Sequence, residues 1–173
     1  MDFKELAKSR RSIRTFTDEA ITPEDIKAIL RAALMAPTGK NTRSWQFIVV
    51  EKEETLQKLS LCRPMGSQFL EGAKAAIVVL GNPDITDTWV EDCSIAAATI
   101  QYQAAELGLG SCWCQIRNRS TEHGESSNLY LREILRFPED LIAECIIGLG
   151  HPAQQRNPQN EAALKWDCVT WNR

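Results

Sequence analysis

Four short apolar runs alternate along this chain with stretches in which apolar residues recur every three or four positions. Uninterrupted runs of this length are typical of buried β-strands, and the longer spacing is typical of amphipathic helices. The runs predict strands over about residues 45–50, 75–80, 111–116 and 141–149. Strands separated by helices favour a layered α/β arrangement, and the pattern by itself goes no further.

The first two helices are predicted from their ends as well as from their spacing. The N-terminal helix covers about residues 2–9, with Asp2 as a candidate cap. Three of its residues are expected to face inward: Phe3, Leu6 and Ala7. The second helix begins after Thr22, because a hydroxyl cap followed by proline and two acids is a helix-start signature, and Pro37 ends it.

The longest helix is predicted over about residues 88–107 and is apolar on nearly all sides, so it belongs in a core or an interface. Gly108 ends it. Shorter helices are predicted over 53–60 and 129–135, and the polar segment 117–127 is expected to be a mobile loop.

The last segment, from about residue 150 onward, has little periodicity but contains four large apolar residues: Leu164, Trp166, Val169 and Trp171. A solvated tail needs no such residues, so we expect this arm to dock on another surface. A length of 173 residues suits one domain, which we assign to residues 1–173 with the arm as its C-terminal part.

Composition narrows the class of protein. An apolar content of 43% and a charged content of 25% are ordinary for a soluble globular protein. No apolar run approaches the roughly 20 residues that span a bilayer, and no secretory signal core follows the first residue. A net charge of −3 argues against a general nucleic-acid binder. We therefore expect a cytoplasmic protein that acts neither on nucleic acid nor on a membrane.

The chain has six cysteines, and most of them stand in apolar, patterned segments. They are interpreted as small buried hydrophobic residues in a reducing compartment. A zinc site is disfavoured because Cys112 and Cys114 are too closely spaced and only His123 and His151 could add nitrogen ligands. A cysteine nucleophile paired with one of these histidines stays open.

Two segments carry the candidate chemistry. The first places three guanidinium groups and a hydroxyl within five residues, Arg10-Arg11-Ser12-Ile13-Arg14. The second is a loop broken by proline and glycine, residues 37–45, with a side-chain amide at Asn41. Arginine forks suit a phosphate or a delocalised anion, whereas a solvated helix end is the alternative interpretation of the basic cluster.

Together with two later segments, these motifs resemble the flavin-dependent nitroreductase family. The four matching segments are residues 10–16, 37–45, 104–113 and 146–153, in the order in which that family carries them. The resemblance implies an α+β, three-layer fold with a mixed, mostly antiparallel central sheet flanked by helices. It also implies an intertwined homodimer in which each arm, about residues 150–173, reaches the partner and both subunits build each FMN site.

The resemblance assigns site residues position by position. Arg10 and Ser12 match residues that hold the FMN phosphate and upper ribityl chain, with Arg11 beside them. Arg14 matches a cation near the pyrimidine edge of the ring, where it would stabilise the anionic reduced flavin. For Arg14 a surface salt bridge is the alternative.

The loop matches the family less closely. Asn41 corresponds to an amide that hydrogen bonds the polar edge of the ring. Arg43 stands where the family usually has glutamine, and Ser44 stands where it has proline. Either a helix-ending turn or ribityl and partner contacts would explain Pro37, Thr38 and Gly39.

Further candidates come from the last two matching segments and the arm. Cys114, Gln115 and Ile116 match a segment whose backbone amides approach N5 and O4 of the flavin, with plain strand packing as the alternative. Lys165 is the better match to a basic arm residue at the phosphate, and Arg156 is the second choice. The glycines of Leu107-Gly108-Leu109-Gly110 do not form a dinucleotide fingerprint, because a helix precedes them and a strand follows.

The implied function is an FMN-dependent oxidoreductase that takes hydride from NADH or NADPH through flavin N5 and reduces nitroaromatics, quinones or similar flat acceptors by ping-pong chemistry. No side chain is assigned as catalytic, because the flavin carries the chemistry. Three alternatives stay open: a non-catalytic flavin-binding or redox-responsive module, a different flavin reaction such as reductive dehalogenation or flavin fragmentation, and a plain interaction domain. Residues 117–124 occupy a lid-like position without a decisive pattern.

Overall fold

The computed structural model describes residues 2–172. Its α-helices are α1 (Phe3–Ser9), α2 (Pro23–Leu34), α3 (Glu53–Ser60), α4 (Trp89–Glu106) and α5 (Ser127–Leu135). Its strands are β1 (Trp45–Val50), β2 (Ala75–Gly81), β3 (Gly110–Gln115) and β4 (Ile142–Gly150). These elements agree with the predicted ones to within about two residues at most ends.

One sheet organises the chain, with strand order β1-β2-β4-β3 and antiparallel pairing at each of the three contacts. A single parallel bridge joins Ser12 to Ser111 on the outer side of β3. The predicted α+β fold with a mostly antiparallel sheet flanked by helices is confirmed.

Alternation along β2 explains the three layers, because successive side chains point to opposite faces. Ala75, Ile77 and Val79 pack with residues of α2 and α4, and Ala76, Val78 and Leu80 pack with residues of α3 and α5. All seven residues of β2 are buried, since neighbouring strands and both helical layers cover it.

The helix-end predictions hold at the atomic level. Asp2 Oδ1 accepts the Glu5 N–H at 2.9 Å, and Thr22 Oγ1 accepts the Asp25 N–H at 3.1 Å. Gly108 has a φ of 78°, the left-handed conformation that ends a helix at little cost for glycine. The sequence signals at these three positions therefore correspond to the observed helix ends.

Three expectations need correction or refinement. Phe3 does not face inward: it is 68% exposed, although its ring lies near that of Tyr102. The strand β1 is not buried along its length, because it pairs on one side only and just its end residues are buried. Residues 117–127 fold back on themselves, with the Ser127 N–H donating to the Arg119 carbonyl at 2.9 Å, and their mobility stays a prediction.

After β4 the chain turns back along α1. The Gln159 N–H donates to the Lys8 carbonyl at 2.8 Å, and Lys8 forms an exposed ion pair with Glu161 at 2.9 Å. Beyond this tether the large apolar side chains of the arm are about half exposed or more: Leu164, Trp166, Val169 and Trp171. No helix within the described residues has the length and apolar character that crossing a membrane requires.

Candidate functional site

The arginine segment lies against the outer edge of β3. The Ile13 N–H donates to the Ser111 carbonyl at 2.9 Å, and the Ile13 side chain is buried over Gly110. A Cβ on Gly110 would lie 2.8 Å from Ile13 Cγ2, so the close approach of the two backbones requires glycine there. This contact fixes the segment that carries the three arginines.

A cleft of about 360 Å³ opens where the arginine segment, the end of α4 and the start of the arm meet. Its polar lining includes Arg10, Arg11, Gln154, Arg156 and Ser111. Gln154 Nε2 is buried there without a hydrogen-bond partner among the described residues. Three guanidinium groups and an unpaired donor fit an anionic group such as a phosphate.

Two of these arginines are held in place by other side chains and the backbone. The Arg10 guanidinium lies 6.0 Å from the centre of the Tyr102 ring on α4. Arg11 Nη1 donates to the Asn157 carbonyl of the arm. The arm therefore helps to shape the cleft within the same chain.

Arg10, Ser12 and Arg14 alternate along an extended segment, and all three act on the thiol of Cys112 in β3. Burial raises the pKa of Cys112, whereas the charge of Arg14, a hydrogen bond with Ser12 and the charge of Arg10 lower it. Alternate residues of an extended segment point to the same side, so the three side chains belong to one face. Arg14 is exposed at its far end.

Beyond Ser111, the outer edge of β3 faces away from β4. In an antiparallel edge strand, alternate residues direct their backbone groups to the open side. Ser111 does so, since its carbonyl accepts from Ile13, and Gln115 does so, since its carbonyl accepts from Arg63 Nη1 at 3.3 Å. The Ile116 N–H instead donates to the Glu144 carbonyl of β4 at 3.1 Å. Of the three predicted ring contacts, Gln115 is thus the one whose N–H faces outward.

The Gln115 side chain is fixed by a polar network at a bulge in β4. Its Nε2 donates to Glu144 Oε1 at 3.2 Å and its Oε1 accepts from Trp113 Nε1 at 2.9 Å. Glu144 is 3% exposed and also pairs with Arg117 Nε at 2.9 Å. The irregular register between β2 and β4 directs this glutamate to the network.

The predicted loop lies at a different place, against the N-terminal turn of α4. The Gly39 N–H donates to Asp92 Oδ1 at 2.8 Å, and the Thr42 hydroxyl donates to Asp92 Oδ2 at 3.4 Å. Within the loop, Arg43 Nε donates to Asn41 Oδ1 at 3.1 Å. Asn41 and Arg43 are both exposed, and Pro37 and Thr38 lead into the turn.

One chain brings some of the sequence-predicted residues together and leaves others apart. Arg10 and Arg11 share the cleft with Arg156, whereas Lys165 lies farther along the arm and does not line it. No residue of the loop over 37–44 lines it either. Asp92 and the cleft residue Ala105 are 13 positions apart on α4, about 20 Å at 1.5 Å per residue.

Three residues of the site region were missed by sequence reasoning: Asp92, Glu144 and Gln154. Asp92 and Glu144 are acids within otherwise apolar segments, a signal that a buried carboxylate needs partners. Gln154 stands in a polar stretch, and nothing in the pattern distinguishes it.

A second cleft, of about 330 Å³, lies beside Arg63. Arg63, Gln68, Thr121, His123 and Tyr130 line it, together with three glutamates. Because Arg63 also donates to the Gln115 carbonyl, this cleft adjoins the open end of β3.

Five of the six cysteines are buried, all of them within the described residues. Cys93, Cys112, Cys114 and Cys145 are buried as predicted, Cys62 is buried as well, and Cys168 is exposed on the arm. Burial, with smaller contributions from Glu144 and Asp92, raises the pKa of Cys93 to about 12, where a thiol is unreactive. Within residues 2–172 no group of three or more His, Cys, Asp or Glu side chains is arranged to hold a metal ion.

Comparison with known proteins gives a consistent result. The sequence model of the Nitroreductase family matches residues 7–62 and 61–151. A protein of Archaeoglobus fulgidus, provisionally named an NADH dehydrogenase/NAD(P)H nitroreductase, is 40% identical over 153 residues, covering 86% of this chain and 84% of its own length. A protein of Methanothermobacter thermautotrophicus with the same provisional name is 36% identical over 156 residues, covering 89% of this chain and 79% of its own length.

A solved structure is similar over nearly the whole chain. It is described as an FMN-dependent nitroreductase from Clostridium difficile R20291, with 43% sequence identity and a TM-score of 0.95. The match covers 97% of this chain and 98% of the other.

Proposed function

The chain belongs to the nitroreductase family, and we propose that it is an FMN-dependent oxidoreductase that uses NADH or NADPH to reduce flat acceptors such as nitroaromatics and quinones. The cleft beside β3 carries this proposal. It combines three guanidinium groups with a buried unpaired donor at the open edge of a strand, a combination that suits the phosphate of FMN.

When bound, FMN supplies the hydride acceptor and donor of the reaction at N5. The chain supplies binding, orientation and charge. Arg10, Arg11 and Arg156 hold the phosphate with Gln154, and Ser12 contacts the upper ribityl chain. Arg156 is the basic arm residue that lines the cleft of its own chain, and Lys165, farther along the arm, is a candidate for the partner's cleft.

Two groups act at the ring. Arg14 offsets negative charge at the pyrimidine edge, which favours the reduced state. The outward N–H of Gln115 donates to the polar edge of the ring, and the network of Trp113, Glu144 and Arg117 keeps that strand end in position. Preorganised donors of this kind need no reorganisation during hydride transfer.

The loop over 37–44 completes the site from a second copy of the chain. Within one chain the loop and the phosphate cleft lie toward opposite ends of α4, so one protomer's loop serves its partner's cleft. The exposed apolar side chains of the arm support the same assembly, because soluble proteins cover such groups at interfaces. We therefore propose a homodimer with shared sites, working in the reducing cytoplasm that its free cysteines suit.

The test is direct. Purified protein supplied with FMN should become yellow, retain the flavin through desalting, and oxidise NADH or NADPH when nitrofurazone or menadione is added. A colourless preparation without turnover would contradict the proposal. Retained flavin without turnover would instead indicate a non-catalytic flavin-binding module.

A further inference from the structure

The loop over 37–44 has an unusual backbone. Lys40, Asn41 and Arg43 have φ values of 52°, 58° and 52°, all in the left-handed region. This conformation is unfavourable for residues with a Cβ, because the Cβ crowds the following carbonyl oxygen. Three such residues within four positions persist only when the surrounding structure holds them.

Asp92 provides that hold from the first turn of α4. Its side chain is buried, with the residue 2% exposed, and its two oxygens accept from Gly39 at 2.8 Å and from Thr42 at 3.4 Å. The two bonds lie on either side of Lys40 and Asn41. Hydrogen bonds to a carboxylate are stronger than those between neutral groups, so the 2.8 Å bond from Gly39 holds the start of the strained turn, and the longer contact from Thr42 adds a weaker one at its other end.

Contact with Thr88, the N-cap residue of α4, further restricts the backbone of the loop. A Cβ on Gly39 would lie 2.5 Å from Thr88 Oγ1, so the loop backbone rests directly on the residue that precedes α4. Thr88 is itself fixed by a 3.0 Å hydrogen bond with the Thr86 hydroxyl. The loop therefore cannot slide along the helix without losing the Asp92 bonds.

The held backbone determines where two exposed side chains point. The Arg43 N–H donates to Thr38 Oγ1 at 3.2 Å, and Arg43 Nε donates to Asn41 Oδ1 at 3.1 Å. Asn41 and Arg43 are thus arranged as a pair before any ligand arrives. A loop ordered in advance saves the entropy that binding would otherwise cost.

We infer that Asp92 is a positioning residue for the flavin, acting through the loop that presents Asn41 and Arg43. This inference rests on the proposed function, in which that loop contacts the cofactor. Asp92 itself lies beneath the loop, so its contribution is to orient Asn41 and Arg43.

Three variants of the full-length chain test the role. Asp92→Ala removes both acceptors, Asp92→Asn keeps one for Gly39, and Glu91→Ala removes a neighbouring exposed carboxylate as the matched control. The measurements are the amide hydrogen exchange of Gly39 without flavin and the Kd for FMN by fluorescence titration. Asp92→Ala should lose Gly39 protection and raise the Kd at least tenfold. Asp92→Asn should restore protection and most of the affinity, and Glu91→Ala should change neither.

The failures are distinguishable. Equal FMN affinity in Asp92→Ala and Glu91→Ala would overturn the positioning role while leaving the proposed function intact. If the unmodified chain binds no FMN, the proposed function fails, and exchange at Gly39 still reports whether Asp92 holds the loop. If Asp92→Ala does not fold, Thr42→Val decides: a Kd raised at least threefold supports the role, and an unchanged Kd overturns it.

Discussion

Arg14 is the exposed end of the face that Arg10 and Ser12 share, and its charge reaches Cys112 in β3. Its side chain has no role in the core, so Arg14→Ala should leave the fold intact. Hydrogen bonds to charged groups are worth about 1.5–3 kcal/mol. Loss of one such hydrogen bond between Arg14 and the reduced flavin should lower the two-electron midpoint potential of the flavin by about 30–60 mV.

The measurement is a redox titration of the flavin-loaded protein, with Arg31→Ala on the exposed side of α2 as the charge-matched control. A potential and an FMN affinity equal to those of the control would show that Arg14 lies away from the ring.

Glu144 is the second residue whose single replacement is informative. Glu144→Ala would leave Arg117 without its carboxylate and Gln115 Nε2 without Glu144 Oε1. Breaking a buried pair costs about 3–5 kcal/mol, and because Arg117 is partly exposed we expect about 2–3 kcal/mol in the free energy of unfolding. Chemical denaturation measures this value. Glu133→Ala, at an exposed position on α5, should stay within about 0.5 kcal/mol of the unmodified protein.

At the scale of elements, the close approach of the arginine segment to β3 is the feature most open to test. Gly110→Ala would place a Cβ 2.8 Å from Ile13 Cγ2 and 2.9 Å from Ile13 Cβ, and both atoms belong to a buried, branched side chain. Relief requires the segment to move outward, at a cost of about 1–3 kcal/mol. Because Arg10 and Arg11 move with it, FMN affinity should fall together with stability.

Gly72→Ala is the control, since its new Cβ would meet only the Phe69 carbonyl, at 3.9 Å. Thermal denaturation and FMN titration of both variants separate the outcomes. A Gly110→Ala protein that is as stable as the control and binds FMN equally well would show that the segment is not held by this contact.

The elements themselves were largely predictable, because each is specified by local signals. Thr22 followed by Pro23 is a local helix-start signal, and Gly108 is a local helix-end signal. The apolar run of β2 indicates a buried segment. The exposure of the middle of β1 was not predictable, since it depends on strand order, which the local pattern does not contain. The exposure of Phe3 was not predictable either, since it depends on how α1 packs against the rest of the chain.

The candidate site likewise contains residues that a local motif predicts and residues that only folding brings together. Arg10 and Arg11 follow from a dense motif, whereas Gln154 and Asp92 matter because folding brings them to the arginine cleft and beneath the 37–44 loop. That Arg156 lines the cleft and Lys165 does not likewise depends on the path of the arm after β4. Spacing along the sequence cannot report such long-range contacts.

At the scale of the whole molecule, the exposed arm and the separation of the loop from the cleft are the two features behind the proposed homodimer. The arm's Trp166 is 65% exposed in one chain, and the loop that carries Asn41 lies about 20 Å along α4 from the phosphate cleft. If the arm docks on the partner, dimerisation and flavin binding are linked, because only the dimer assembles the loop and the cleft.

Trp166→Ala should therefore weaken both dimerisation and FMN binding. Truncation of an aromatic anchor at an interface costs about 2 kcal/mol or more, which is about thirtyfold in the dimer dissociation constant. Light scattering across a dilution series measures the dimer, and FMN titration at each concentration measures the site. Met65→Ala, which removes an equally exposed apolar side chain outside the arm, should alter neither. Because the linkage makes FMN affinity fall only where the dimer dissociates, an unchanged affinity at concentrations at which Trp166→Ala is monomeric would place the complete site within a single chain.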